Sequence, residues 1–498
     1  MQVSHACVRY VVRATQSAIY RRAIFCDGRA MFRTVELPLW IFLLIIAFAL
    51  IAFFSHFLFP SVRWFFRHRM ERLVGRLNQR LDRPIQPFKL MERHDMIIRL
   101  AHDPKVAEAI AEEAALTGEP QTVVLERARR YAREIVPAFS ARFYFTWGIR
   151  IARWFAQLLY RVRLDDRNLG EIDPGSTVVF VMNHRSNMDY VLVTYLAAQR
   201  SALSYAVGEW ARVWPLSVLI RSMGAYFIRR KSERPLYRRI LSRYVQMATA
   251  EGVTQAIFPE GGLSLDGRTA PARLGILSYI VQGERPDGRD VVFVPVALNY
   301  DRIVEDRVLV EAHRAGVRRF RAPILSILAF IWRHIWRALF GRFRGFGNAV
   351  VRFGTPISLA SFSAGRDGDV TEELADRLMG EITRTIPVLP VPLVSAAWGA
   401  ESETDRAGLL ARSEGLAARL AGAGAELALP EGVAGAVDMT LAIFRLRKFV
   451  TENGGKVQLD EERRDVVDFY AASALQLLDA GAETKRRKTR RVTPNPRP

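Results

Sequence analysis

The sequence predicts an α/β protein: a mainly parallel sheet covered by helices, with an N-terminal transmembrane helix and helical N- and C-terminal regions. Three observations predict it. Between residues 165 and 360, short apolar β-branched runs alternate with helical patterns, as they do where crossover helices join parallel strands. Residues 37–60 are apolar, with no Asp, Glu, Lys or Arg. Outside 165–360, apolar positions recur mainly at helical spacing.

The chain has 498 residues, room for roughly three domains. Its formal charge is +21, with Arg far outnumbering Lys. Such a surface attracts anionic lipid headgroups, phosphorylated substrates, acidic carrier proteins or nucleic acid; the plainer account is that Arg solubilises it. The two cysteines, Cys7 and Cys26, imply neither a disulfide framework nor a cysteine metal site.

Residues 1–36 form a basic extension without a core pattern, and Met31 is an equally good start, which would leave 1–30 dispensable. Residues 37–60 are long enough to span a bilayer and too long for a signal peptide. Arg63, Arg67, Arg69, Arg72, Arg76 and Arg80 follow it, so positive-inside orientation places the rest of the chain in the cytoplasm. The expected location is therefore a membrane, single-pass, with a bacterial inner membrane the best fit.

Residues 61–164 read as a helical region, with 62–83 suited to lying on a membrane surface and breaks at Pro104, 117–120 and Pro137. Residues 165–360 read as the α/β domain, with strands at 177–182, 203–207, 225–228, 254–258, 291–297 and 349–353. Within it, 322–341 carries an apolar stripe beside Trp332, Trp336, Arg333 and Arg337, and reads equally as an interfacial helix or as packed core. Residues 361–482 read as a helical C-terminal region, and 483–498 as a disordered basic tail. There is no P-loop, no GxGxxG after a strand and no zinc spacing, which argues against a kinase or a redox enzyme with a bound cofactor.

The strand 177–182 runs into Asn183-His184-Arg185-Ser186-Asn187-Met188-Asp189, where a helix begins. A carboxylate within reach of an imidazole, beside a helix N-terminus at a strand end, makes a general-base site. Taken alone, the same residues read as a helix cap and a turn. Three further stretches fall at strand ends: Gly224–Arg230 (GAYFIRR), Phe258-Pro259-Glu260-Gly261-Gly262, and Val294–Tyr300 (VPVALNY). The internal Pro295 points to an edge strand or a bulge.

Together these four stretches resemble the blocks of the glycerolipid acyltransferase family: NHxxxxD, GxxFIxR, FPEG and VPV. The wording of the blocks, the later VRFGTPISL and the helical DFYAASALQLL are most similar to the glycerol-3-phosphate acyltransferase branch. The resemblance implies that fold, and transfer of a fatty acyl group from acyl-CoA or acyl-ACP to the sn-1 hydroxyl of glycerol 3-phosphate. It implies no cofactor and no metal. His184 would be the base and Asp189 its orienting partner; Arg229 and Arg230 would hold the phosphate. Asn183, Arg185, Ser186, Glu260, Gly261, Gly262 and Arg268 complete the implied substrate site. The implied partners are the phosphorylated glycerol acceptor, the acyl carrier and anionic membrane lipids, not nucleic acid.

One stretch departs from the family. Arg-Ser-Arg, or Leu-Ser-Arg, usually follows the glycine pair; here it is Leu263-Ser264-Leu265, which leaves Arg268 or Arg273 to substitute. Lysophosphatidate therefore stays open as the acceptor. The reading from another class is a non-catalytic membrane protein that binds lipid or nucleic acid.

Overall fold

A computed structural model describes residues 38–51, 53, 72, 74–76, 78–79, 81, 83–197, 202–208, 216–229, 234–285, 287–317, 336 and 345–492. The expected extension 1–36, most of the surface helix 62–83, and the stripe 322–341 apart from Trp336 lie outside the described residues. The chain divides into two compact units, Met1–Arg72 and Leu73–Pro498. In the first, residues 39–51 are helical and Leu39, Trp40, Leu44, Phe48 and Ile51 are exposed. Residues 54–60 of the expected span are outside the described residues. Among the described residues no helix is long and apolar enough to cross a membrane.

The second unit opens with helices α1 (Arg93–Ala101), α2 (Pro104–Thr117), α3 (Gln121–Ile135) and α4 (Ile149–Leu159). The expected breaks have local causes. Asp103 caps α2 by accepting the Lys105 N–H, with Pro104 in the first turn, and Gly118 ends the helix at φ +70°. One boundary differs from expectation. Residues 161–164, assigned to the helical region, belong to the short strand β1 (Arg161–Asp165). Its Arg-Val-Arg-Leu-Asp alternation is too polar to announce a strand; it exists because β7 offers a parallel ladder.

The main sheet follows: β2 (Thr177–Met182), β3 (Ser204–Gly208), β4 (Ala225–Ile228), β5 (Gln255–Ile257), β6 (Val291–Tyr300), β7 (Asn348–Phe353) and β8 (Ile357–Ser358). The order is β1-β7-β6-β2-β5-β3-β4, with β8 against β6. β6, β2, β5, β3 and β4 are mutually parallel; β7 and β8 run antiparallel to β6. Helices α5 (Met188–Ala197), α6 (Pro235–Ala250), α7 (Gly275–Val281) and α8 (Asp306–Arg314) lie between the strands.

β2 is buried at every position because both faces are covered. Val178, Phe180 and Met182 join one apolar cluster, with α4, α5 and residues of the C-terminal region; Val179 and Val181 join another, with α1, α2, α3 and α6. An uninterrupted apolar run is what two covered faces require.

Pro295 corrects an expectation. β6 is neither an edge strand nor bulged: it lies between β2 and β7. The proline is accommodated because the ladder on that side changes partner there. Residues 292–293 pair with β8 and residues 296–300 with β7. The Pro295 carbonyl accepts the Gly354 N–H at 2.8 Å, so the ring nitrogen faces the β7–β8 turn, where no ladder bond is lost.

The C-terminal region is helical over α9 (Thr371–Thr385), α10 (Pro390–Trp398), α11 (Arg406–Gly422), α12 (Gly432–Leu446) and α13 (Arg464–Val492). It also holds an unexpected antiparallel sheet, β9 (Glu403–Asp405), β10 (Val450–Asn453) and β11 (Lys456–Leu459). Asn453-Gly454-Gly455 carried the turn signal: both glycines have positive φ, as a tight hairpin requires. Helix α13 continues past the expected boundary at 482 to Val492, since no Gly or Pro intervenes before Pro494.

Candidate active site

Because β2, β5 and β6 are parallel, the residues that follow them emerge at one end of the sheet, beyond the C-termini of the strands. There the His184 Nδ1 and Asp189 Oδ2 lie 2.9 Å apart, both residues buried. Oδ2 also accepts the N–H groups of Arg185 at 2.7 Å and Ser186 at 3.0 Å, and Oδ1 accepts the Tyr300 hydroxyl. Asp189 thus caps its own helix and orients the imidazole at once; the two readings of this pair are one structure. With Nδ1 directed at the carboxylate, the lone pair stands on Nε2, the position of a general base. The ring is 1% exposed and packs on Phe258, with centroids 4.3 Å apart, and edge-on to Tyr190. That packing shields the ring from bulk water.

The other predicted residues of this block form its frame. The Asn183 amide donates to Leu298 O at 2.9 Å and accepts Leu298 N–H at 2.8 Å, pinning the loop to β6. Ser186 Oγ accepts the Met188 N–H and donates to Glu305 at 2.7 Å; Asn187 donates to the same carboxylate. Glu260 accepts the His184 N–H at 2.9 Å and the Ala270 N–H at 3.0 Å, so it ties the first and third blocks together. Burial pushes its carboxyl up to about 7, against the pull of those two N–H donors.

Arg185 is buried, with Nη1 bonded to Gly267 O and its guanidinium 5.6 Å from the Phe469 ring. Its Nε and Nη2 have no hydrogen-bond partner. Burial lowers its pKa, opposed by the charges of Glu260 and Asp189. Gly261 has φ +68°, and a Cβ there would lie 2.6 Å from the Arg273 side chain; Gly262 is half-buried beside it.

Two family models match the chain. The family model for acyltransferases matches residues 163–299. A second, for the C-terminal region of glycerol-3-phosphate acyltransferases, matches residues 334–478. In these two regions the chain is similar to the glycerolipid acyltransferase family. Among its relatives are glycerol-3-phosphate acyltransferases of Aeromonas hydrophila, 30% identical over 59% of this chain and 36% of that protein, and of Pseudomonas putida, 31% identical over 55% and 32%. The chain spans about a third of the length of these curated relatives. Among solved structures, the 1-acyl-sn-glycerophosphate acyltransferase of Thermotoga maritima aligns over 58% of this chain and 97% of its own, at 18% identity and a TM-score of 0.29, too low to inform this fold.

The acyltransferase blocks are not all gathered at His184. β4 stands three strands from β2, roughly 14 Å along the sheet. Arg229 at its end is held by Glu134 of α3, at 2.7 Å to Nε and 2.6 Å to Nη2, between the rings of Tyr131 and Tyr237. Arg230 lies outside the described residues. Arg268 is bonded to Asp479 on α13 at 3.1 Å. Leu263 and Leu265 are partly buried against the apolar core.

Sequence reasoning missed Tyr300 and Glu305. Tyr300 ends the fourth block and Glu305 follows it by five residues, and their side chains return to the first block by tertiary folding. Glu305 is half-buried, and desolvation raises its carboxyl. The next residue, Asp306, is held by Arg447 and by the Tyr470 hydroxyl at 2.6 Å, while Tyr470 accepts the Ile303 N–H at 2.8 Å. The C-terminal region therefore braces the segment that braces the acyltransferase loop.

Proposed function

We propose that this chain is a membrane-bound glycerol-3-phosphate 1-O-acyltransferase. The observation that carries it is the buried His184–Asp189 pair, its carboxylate held by the N–H groups of Arg185 and Ser186. The matched C-terminal region supports the choice of branch. His184 Nε2 takes the proton of the sn-1 hydroxyl as that oxygen attacks the thioester carbonyl. The C–S bond then breaks, and the imidazolium returns the proton to the departing thiolate. Asp189 stabilises the imidazolium. The acyl group comes from acyl-CoA or acyl-ACP, and the scheme uses no metal and no cofactor.

The acceptor phosphate falls to Arg230, with Arg273, whose side chain passes over Gly261, as a second cation. Residues 37–60 act as a single transmembrane anchor, supported by their charge-free sequence and the helical 39–51, with the catalytic unit on the cytoplasmic side where the Arg residues follow. Anionic lipids attract the basic surface.

A second reading takes lysophosphatidate as acceptor. It is favoured by the apolar Leu263 and Leu265 where the branch carries Arg. Purified protein given each acceptor with an acyl thioester decides. Acylation of glycerol 3-phosphate supports the first reading, turnover of lysophosphatidate alone the second, and turnover of neither excludes both.

A further inference from the structure

Helix α4 presents a face that nothing in the acyl-transfer scheme uses. Trp147, in the π-helical turn Tyr144–Gly148 that leads directly into α4, and Ile151 and Trp154 of α4 itself are 59%, 47% and 52% exposed. The opposite face, Ala152, Ala156 and Leu159, is buried, and α4 packs there on α5, the helix that begins beside Asp189. Two tryptophans and an isoleucine turned outward on one stripe are not the ordinary scatter of surface apolar residues. Arg142, Arg150 and Arg153 are exposed around the stripe. From residue 138 to 164 there is no Asp or Glu.

We infer that this face docks on the surface of an anionic lipid bilayer, with the Trp147–Ile151–Trp154 stripe at headgroup depth and the arginines on lipid phosphates. Indole rings favour that depth, and a cationic, apolar helix face lies in the interface plane. The charge decides against a second copy of the chain, because a two-fold contact on this face would bring like arginines together with no carboxylate between 138 and 164 to relieve them. The contact would sit on the helix that supports α5, so docking would hold the His184–Asp189 end of the sheet close to the bilayer. It is independent of the apolar run at 37–60 and of the reaction proposed above.

The test uses the full chain with Cys7→Ser and Cys26→Ser. Ile151→Cys is labelled with a polarity-sensitive fluorophore and the protein is reconstituted in lipid nanodiscs. Emission is expected to shift to the blue in discs of phosphatidylcholine with phosphatidylglycerol, and to be quenched when the acyl chains carry bromine. Both effects should weaken in phosphatidylcholine alone and at high salt. A label at Glu414→Cys, exposed in the C-terminal region, should report water throughout. Adding Trp147→Asp and Trp154→Asp should abolish quenching at 151 while leaving the unfolding midpoint in place. Water-like emission at 151 in every disc overturns the proposal. A blue shift that bromine does not quench also overturns it, since protein and not lipid would then cover the face. Quenching that survives the Trp147→Asp/Trp154→Asp change does so as well.

Discussion

Ser186 and Glu305, 119 residues apart in the chain, are joined by a 2.7 Å hydrogen bond. Through the neighbouring Asp306, held by Arg447 and Tyr470, that bond connects the HRSNMD loop to the last long helix. Glu305→Gln would place an amide among donors that need an acceptor. It should lower kcat about 10-fold, the scale of one bond to a charged group, with little change in KM for the thioester. Tyr470→Phe should act in the same direction. A double-mutant cycle should show coupling above about 0.5 kcal/mol. Additive losses would separate the C-terminal region from the loop.

His184→Ala should reduce acyl transfer by roughly 10²- to 10⁴-fold with the fold intact by circular dichroism. Tyr300→Phe removes one donor from Asp189 and leaves the His184, Arg185 and Ser186 donors. A smaller loss, about 10-fold, is expected, with the pH–rate profile displaced because the carboxylate is less stabilised. Full activity in His184→Ala would remove the general base from the scheme.

Arg229 and Arg230 should separate. Arg229 is already bonded through Nε and Nη2 to Glu134. Arg229→Ala and Glu134→Gln should therefore both lower the unfolding midpoint. Arg230→Ala should raise KM for the phosphorylated acceptor by roughly 10- to 150-fold, as expected for one lost charge-assisted contact, and leave the thioester KM unchanged. If Arg229→Ala alone raised the acceptor KM, the Glu134 pair would be exchanged on binding and not structural.

Glu260 links stability to pH. Its carboxyl moves from 4.5 to about 7 on folding, so the folded state binds the extra proton between those values. Stability from this group is present below about 4.5 and falls as pH rises towards 7, by about 3 kcal/mol in all. Denaturant unfolding of the parent and of Glu260→Gln across that window should diverge in this direction. Parallel curves would mean that the N–H groups of His184 and Ala270 keep the carboxylate ionised.

The sequence by itself determined most strands of the main sheet and the meeting of His184 with Asp189. β2 and β4 fall where apolar β-branched and aromatic residues predict them, because a strand buried on both faces must be apolar throughout. The His184–Asp189 pair was legible because both residues belong to one strand–helix turn, where local geometry fixes their meeting. Tertiary structure decided what lies far apart in the chain. Pro295 reads as an edge residue until the partners of β6 show where its missing N–H would have pointed. β1 becomes a strand only through β7. Tyr300 and Glu305 look like any strand end until parallel strand order returns them to the loop after β2. Arg229 looks like a substrate ligand until α3 supplies Glu134. Periodicity records which face of an element is buried; it carries no record of which distant polar group meets it, and hydrogen-bond satisfaction in the folded core settles that.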